Sequence, residues 1–82
     1  EQDWKTTLTE FAFNHDMGAV TYEVEGEGPD HQRVFTAHAF VASRDTQVGQ
    51  GVGTSKKHAE NAAAADAVAR LSGEKRVEEQ GE

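Results

Sequence analysis

The chain has no cysteine and a single proline among its 82 residues. Without cysteine there is no disulfide framework, no thiolate zinc site and no cysteine nucleophile, and a reducing cytoplasm is the expected compartment. Long apolar runs are missing too. The longest, of four residues at 39–42 and the alanines at 62–65, are far short of the roughly 20 residues of a membrane-spanning helix, so no membrane partner is expected. No secretory apolar segment precedes a cleavage site. Positive charge is scarce: eight Lys and Arg against fifteen Asp and Glu give a net charge of −7. An acidic chain has no global attraction to a polyanion, so any basic site must be local. The last nine residues carry −2 and Glu1 carries −1, leaving −4 on residues 2–73.

What remains is enough for one small domain. Chains split into separate cores only well beyond this length, and a domain of this size is marginally stable. The chain opens on Glu1 rather than Met, which suggests a piece of something longer.

Asp3 is a good helix cap, and Trp4, Leu8, Phe11 and Ala12 follow the spacing of one buried helical stripe, predicting a helix from Asp3 to about Asp16 closed by Gly18. Thr6, Thr9, Glu10 and Phe13 share the opposite face. Strict alternation over Val20–Glu25 predicts a strand with one face buried. A loop over 26–32, holding Gly26, Gly28, Pro29 and Asp30, separates it from a second strand over Arg33 to about Ser43, with Phe35, Ala37, Ala39 and Val41 on one face. A short glycine-rich strand follows over Gln47–Val52. The alanine-rich segment from Ser55 to about Leu71 predicts a helix whose inner stripe is Ala59, Ala63, Ala67 and Leu71. Residues 74–82 are polar, with one apolar residue in nine, and read as a frayed helix extension or a disordered tail after a domain at 1–73. The fold class is α+β in the order α-β-β-β-α. Short connections favour a three-stranded antiparallel sheet with both helices on one face.

One segment breaks a local rule. Lys56, Lys57 and His58 follow the candidate caps Thr54 and Ser55 and fall in the first turn of the last helix, where the helix dipole disfavours cations by about 0.3–1 kcal/mol each. Such a violation marks a candidate functional site. Unpaired backbone amides, the dipole and two ammonium groups together make an anion site, and Gly49, Gly51 and Gly53 read as allowing close backbone approach. The order Gly53-Thr54-Ser55-Lys56 is not a P-loop, and Thr54 stands where a dinucleotide fingerprint needs its last glycine. The plain alternative is two solvated surface lysines.

The span from Asp3-Trp4-Lys5-Thr6, through the Gly28-Pro29-Asp30-His31 loop and Phe35, to Gly51-x-Gly53-x-Ser55-Lys56-Lys57-x-Ala59-Glu60 resembles the double-stranded RNA-binding domain, in particular the C-terminal one of bacterial ribonuclease III. The resemblance covers residues 3–71. It implies binding of A-form duplex RNA by shape and by 2′-hydroxyl and phosphate contacts. By position, Lys56 and Lys57, with amides near Ser55 and Thr54, would grip major-groove phosphates. Thr6, Thr9 and Glu10, with Lys5 beside them, would face one minor groove, and His31 with Pro29 and the Gly28–Asp30 backbone would enter the next. Thr9 stands where the family commonly has Gln, and Glu60 where strongly binding eukaryotic domains have a third lysine.

The resemblance also implies a parent enzyme that processes structured RNA such as rRNA and mRNA precursors, using Mg2+ and dimerising through a catalytic domain absent from these residues. This fragment is then expected to be a monomer with no catalytic residue and no cofactor of its own. The four histidines, at 15, 31, 38 and 58, make no metal-ligand spacing. Phe13 and Phe40 are not expected to stack on bases, because duplex bases are already stacked. The net charge and thin lysine set motivate a rival: a fold relative without RNA binding that serves as a protein-interaction or dimerisation module.

Overall fold

A computed structural model describes residues 2–80 in backbone, with side chains through Glu74. Helix α1 (Trp4–Asn14), strands β1 (Val20–Glu27), β2 (Val34–Val41) and β3 (Gly49–Gly53), and helix α2 (Lys56–Gln80) follow in that order. A short 3-10 turn over Asp30–Gln32 precedes β2. The strands form one antiparallel sheet in the order β1-β2-β3. The α+β architecture expected from the sequence is the one observed.

The first helix starts on Asp3, whose carboxylate accepts from the Thr6 amide at 3.1 Å and from its hydroxyl at 2.7 Å. These bonds, the hydroxyl foremost, hold the Asp3 carboxyl below its usual range. The helix ends on His15, and the left-handed residue that closes it is Asp16 at φ 58°; Gly18, expected to close it, takes its own positive φ of 84° two residues further on. Met17 N–H reaches Ala12 O at 2.8 Å and Asp16 N–H reaches Phe13 O at 3.3 Å, the double closure of a Schellman motif. Met17 is then buried against the core beside Ala12.

Leu8, Ala12, Met17, Ala37, Ala39, Val41, Val48, Ala59, Ala63, Ala67 and Leu71 are all buried, so the stripes of both helices and the inner face of β2 form one core. Most of these side chains are small, and the core works by close approach rather than by bulk. Helix α2 lies across β3 and β2, and α1 packs mainly on α2. At Gly49, Gly51 and Gly53 a Cβ would stand 2.4, 2.3 and 2.7 Å from backbone atoms of α2. The glycines read as freeing backbone for an anion therefore serve the helix–sheet contact. Their alternate positions on β3 all face α2.

Helix α2 runs past Gly73, where the sequence placed the domain boundary, to Gln80. Arg44, after β2, holds Glu74 through two parallel bonds of 2.9 and 3.1 Å. Of the polar tail expected over 74–82, Gly81 and Glu82 and the side chains from Lys75 onward lie outside the described residues.

Tyr22 carries a buried hydroxyl with no hydrogen-bond partner. Burial first, then the Glu60 and Asp3 carboxylates, pushes its pKa up from 10.0 to about 12. The folded state thus keeps this proton where the unfolded chain has already lost it. Stability is expected to fall as pH rises from 10.0 to about 12. Tyr22→Phe should remove that loss in melts followed by circular dichroism. At neutral pH it should leave the domain as stable or up to about 1 kcal/mol more so, since no hydrogen bond is given up.

Candidate nucleic-acid interface

The two lysines that broke the helix rule sit where the sequence placed them. Ser55 caps α2: its Oγ accepts from His58 N–H at 3.1 Å, and its carbonyl accepts from Ala59 N–H at 3.0 Å. By helix geometry the Lys56 and Lys57 amides have no carbonyl partner within the helix. Both lysine side chains are exposed.

Six Lys and Arg fall between residues 2 and 74, and three of them are paired. Lys5 Nζ meets Glu60 Oε1 at 2.5 Å, Arg44 meets Glu74 at 2.9 Å, and Arg70 meets Asp66 at 3.1 Å. Neither Lys56 nor Lys57 forms an ion pair among the described residues. Of the three cations left without an ion pair among the described residues, two stand side by side at the start of α2.

The first helix is brought to the same place by Asn61. Its Oδ1 accepts from Trp4 N–H at 2.8 Å and its amide donates to Gln2 O at 2.8 Å. One side chain of α2 thereby holds the opening of α1, and Asp3, Lys5, Thr6, Lys57 and Asn61 line a common shallow cleft. Sequence reasoning missed Asn61, because an Asn inside an alanine-rich helix carries no local signal of a partner 57 positions away.

Thr6, Thr9 and Glu10 are exposed on one face of α1, and Phe13 continues that face with 80% of its surface open. The Thr6 hydroxyl donates to Asp3, so it has only acceptor capacity to offer a ligand. Lys5 differs from the expectation. Its ammonium is tied to Glu60 and lies 5.2 Å from the centre of the Tyr22 ring, so it braces α1 against α2 and β1 instead of presenting a free charge. The same contact explains Glu60. A carboxylate beside the two lysines would weaken an anion site, and Lys5 offsets it.

The loop between β1 and β2 supplies the remaining residues. Pro29 and His31 are exposed, and Gly28 adopts φ +95° with its α-carbon against the Gln32 carbonyl side, where a Cβ would stand 2.9 Å from that oxygen. His31 and Thr54 line one cleft, which joins the loop to the start of α2. Thr6 of α1 thus shares one cleft with Lys57, and His31 of the loop shares another with Thr54, so the start of α2 borders both. No group of three or more His, Cys, Asp or Glu suited to a metal ion occurs among the described residues.

Comparisons with known proteins place the fold in a family. Residues 4–71 match the family described as the double-stranded RNA binding motif. The chain is 54% identical over 63 residues to Ribonuclease 3 of Mycolicibacterium paratuberculosis, covering 77% of this chain and 26% of that protein. It is 44% identical over 72 residues to Ribonuclease 3 of Nocardia farcinica, covering 88% of this chain and 29% of that one. The chain thus spans little more than a quarter of the length of these relatives. Among solved structures, Arabidopsis HYL1, described for its implications for miRNA processing, superposes with a TM-score of 0.70 at 27% identity, covering 87% of this chain and 99% of that one. With the fold, the free lysine pair and a match over nearly the whole described core, the chain belongs to the double-stranded RNA-binding motif family.

Proposed function

We propose that residues 1–73 grip A-form RNA duplexes by shape and serve as the substrate-binding module of a ribonuclease III-type endoribonuclease. The observation that carries this reading is the pair of exposed, unpaired lysines at the capped start of α2 in an otherwise acidic domain. Lys56 and Lys57, with the amides after Thr54 and Ser55, take phosphates across the narrow major groove. Thr6, Thr9 and Glu10 enter one flanking minor groove, and His31 with the Pro29 turn enters the next, the two-groove span of about 16 bp that such domains cover. Glu10 is repelled by phosphate but can accept from a 2′-hydroxyl or a guanine amino group. Lys5 acts through Glu60 and the seating of α1.

The other three quarters of the relatives' length supply the rest of this reading: cleavage, its Mg2+ and the contact between two copies. The whole protein would process structured precursors of rRNA and mRNA in the cytoplasm. The module alone is a monomer. The rival without RNA binding was motivated by the net charge and the thin lysine set; the match of residues 4–71 to the double-stranded RNA binding motif favours the RNA reading over it.

The reading is tested by titrating an RNA duplex of about 20 bp against DNA of the same sequence. RNA should bind with a log–log salt slope of roughly −2 to −4, from two to four phosphate contacts. DNA should bind far more weakly, since B-form grooves and missing 2′-hydroxyls deny the minor-groove contacts. Equal binding of both duplexes, or of neither, overturns it.

A further inference from the structure

Beyond Lys56 and Lys57, one more cation between residues 2 and 74 forms no ion pair among the described residues. Arg33 follows the 3-10 turn in extended conformation, at φ −77° and ψ 138°. Strand alternation puts it on the same side of the sheet as Phe35 and Ala37, the side covered by α2. Phe35 is opposite Gly53 in the ladder. Two residues out from that pair lie Arg33, just before β2, and Ser55, the cap of α2, just after β3. Arg33, His31 and Thr54 also line the same cleft.

The side chain is held in place. Its Nη1 donates to Gly28 O at 3.0 Å, and its guanidinium lies 5.9 Å from the centre of the Phe35 ring. Gly26 makes the room for this: a Cβ there would approach Arg33 Nε to 2.8 Å and Phe35 Cε1 to 2.9 Å. A guanidinium has five N–H donors. One serves Gly28, and the others have no partner among the described residues. A planar cation fixed in advance loses little conformational freedom when it meets a phosphate oxygen.

We propose that Arg33 is a third cationic contact to the RNA backbone, placed between the loop that carries His31 and the turn that carries Lys56 and Lys57. It joins the minor-groove and major-groove contacts through the phosphates between them. The inference rests on the duplex-RNA reading above and adds a residue to it. The competing role is purely structural: Arg33 pins Gly28 and orders the loop without touching RNA.

Salt dependence separates the two. Arg33→Gln keeps a donor for the Gly28 carbonyl and drops the charge; Arg33→Met keeps a chain long enough to lie on Phe35; Arg33→Lys keeps the charge. Each is titrated with an RNA duplex of about 20 bp between about 50 and 300 mM salt, beside thermal melts. A phosphate contact predicts that both Gln and Met variants bind about 3- to 10-fold more weakly at low salt with the slope shallower by about one, while Lys keeps the slope. Unchanged slopes in the Gln and Met variants, whatever their affinity, overturn the proposal in favour of the loop role. Should the wild type fail to bind RNA, the duplex reading falls and this inference with it. Should Lys56→Ala with Lys57→Ala weaken binding while Arg33→Gln leaves the slope intact, only the role of Arg33 falls.

Discussion

Gly51→Ala is expected to unfold the domain at ordinary temperatures or to lower its melting point by well over 10 °C, a large response to one methyl group. The reason is where the methyl goes. It would stand 2.3 Å from Ala63 N, 2.5 Å from Ala62 C and 2.6 Å from Ala62 Cβ. Two of these atoms are helix backbone and have no rotamer to escape into. Relief requires α2 to lift from the sheet, which uncovers Ala59, Ala63 and Ala67, all fully buried. Overpacking costs typically about 1–3 kcal/mol, and more when backbone must shift. In a domain of this size about 3 kcal/mol corresponds to roughly 12–24 °C and approaches the whole stability. Gly73→Ala is the control. Gly73 lies inside α2 with nothing within 4 Å of its added Cβ, so alanine there should stabilise by about 0.5–1 kcal/mol. Melts of the two variants should move in opposite directions. A Gly51→Ala protein melting within a few degrees of wild type would mean that helix and sheet are not in the tight contact described.

The same glycines show where sequence reasoning reaches and where it stops. Alternation over Val20–Glu25 and the alanine stripe at 59, 63 and 67 are local periodicities, and they were legible because each element must bury one face. The strand runs two residues further, to Glu27, through Gly26, which a reading of glycine as a breaker assigns to the loop. Gly49, Gly51 and Gly53 were ascribed to a ligand because they precede a cationic turn. Their two-residue spacing, set beside the alanine stripe of the next helix, is the mark of two surfaces in close approach, and it appears only when both elements are considered together. Helix closure was assigned to Gly18 by composition; Gly18 does turn with positive φ, but the residue that closes the helix is Asp16, two positions earlier, and Met17 between them fills the core.

In the candidate site, the residues presented to solvent were legible and their partners were not. Lys56 and Lys57 stood out because they oppose a helix dipole. The Lys5–Glu60 pair joins residues 55 positions apart, and no pattern along the chain distinguishes that lysine from a free one. Charge pairing across elements is tertiary information. That is why Lys5 was grouped with the RNA contacts, and why Glu60 looked like a defect in the anchor before its partner was in view.

Lys56→Ala combined with Lys57→Ala is expected to separate binding from folding. Each ammonium–phosphate contact contributes about 1–1.5 kcal/mol, so losing both should weaken RNA affinity about 30- to 200-fold near 100 mM salt and flatten the log–log salt slope by about two. The loss should be the same for duplexes of different sequence, because phosphate contacts carry no sequence information. Stability should move the other way. Two cations in the first turn of α2 oppose its dipole by about 0.3–1 kcal/mol each at low salt, and neither lysine forms an ion pair among the described residues that the change would break. The double variant should therefore melt at or above the wild-type temperature while binding poorly, the pattern of residues kept at a cost to the fold. Lys5→Ala provides the contrast. It removes a charge already met by Glu60 and leaves that carboxylate unmatched beside the lysine pair, so any loss of affinity should come with lower stability. Full RNA affinity in the Lys56 and Lys57 double variant would contradict the assignment of the anchor. A fall in its melting temperature would mean instead that the two lysines hold the helix in place.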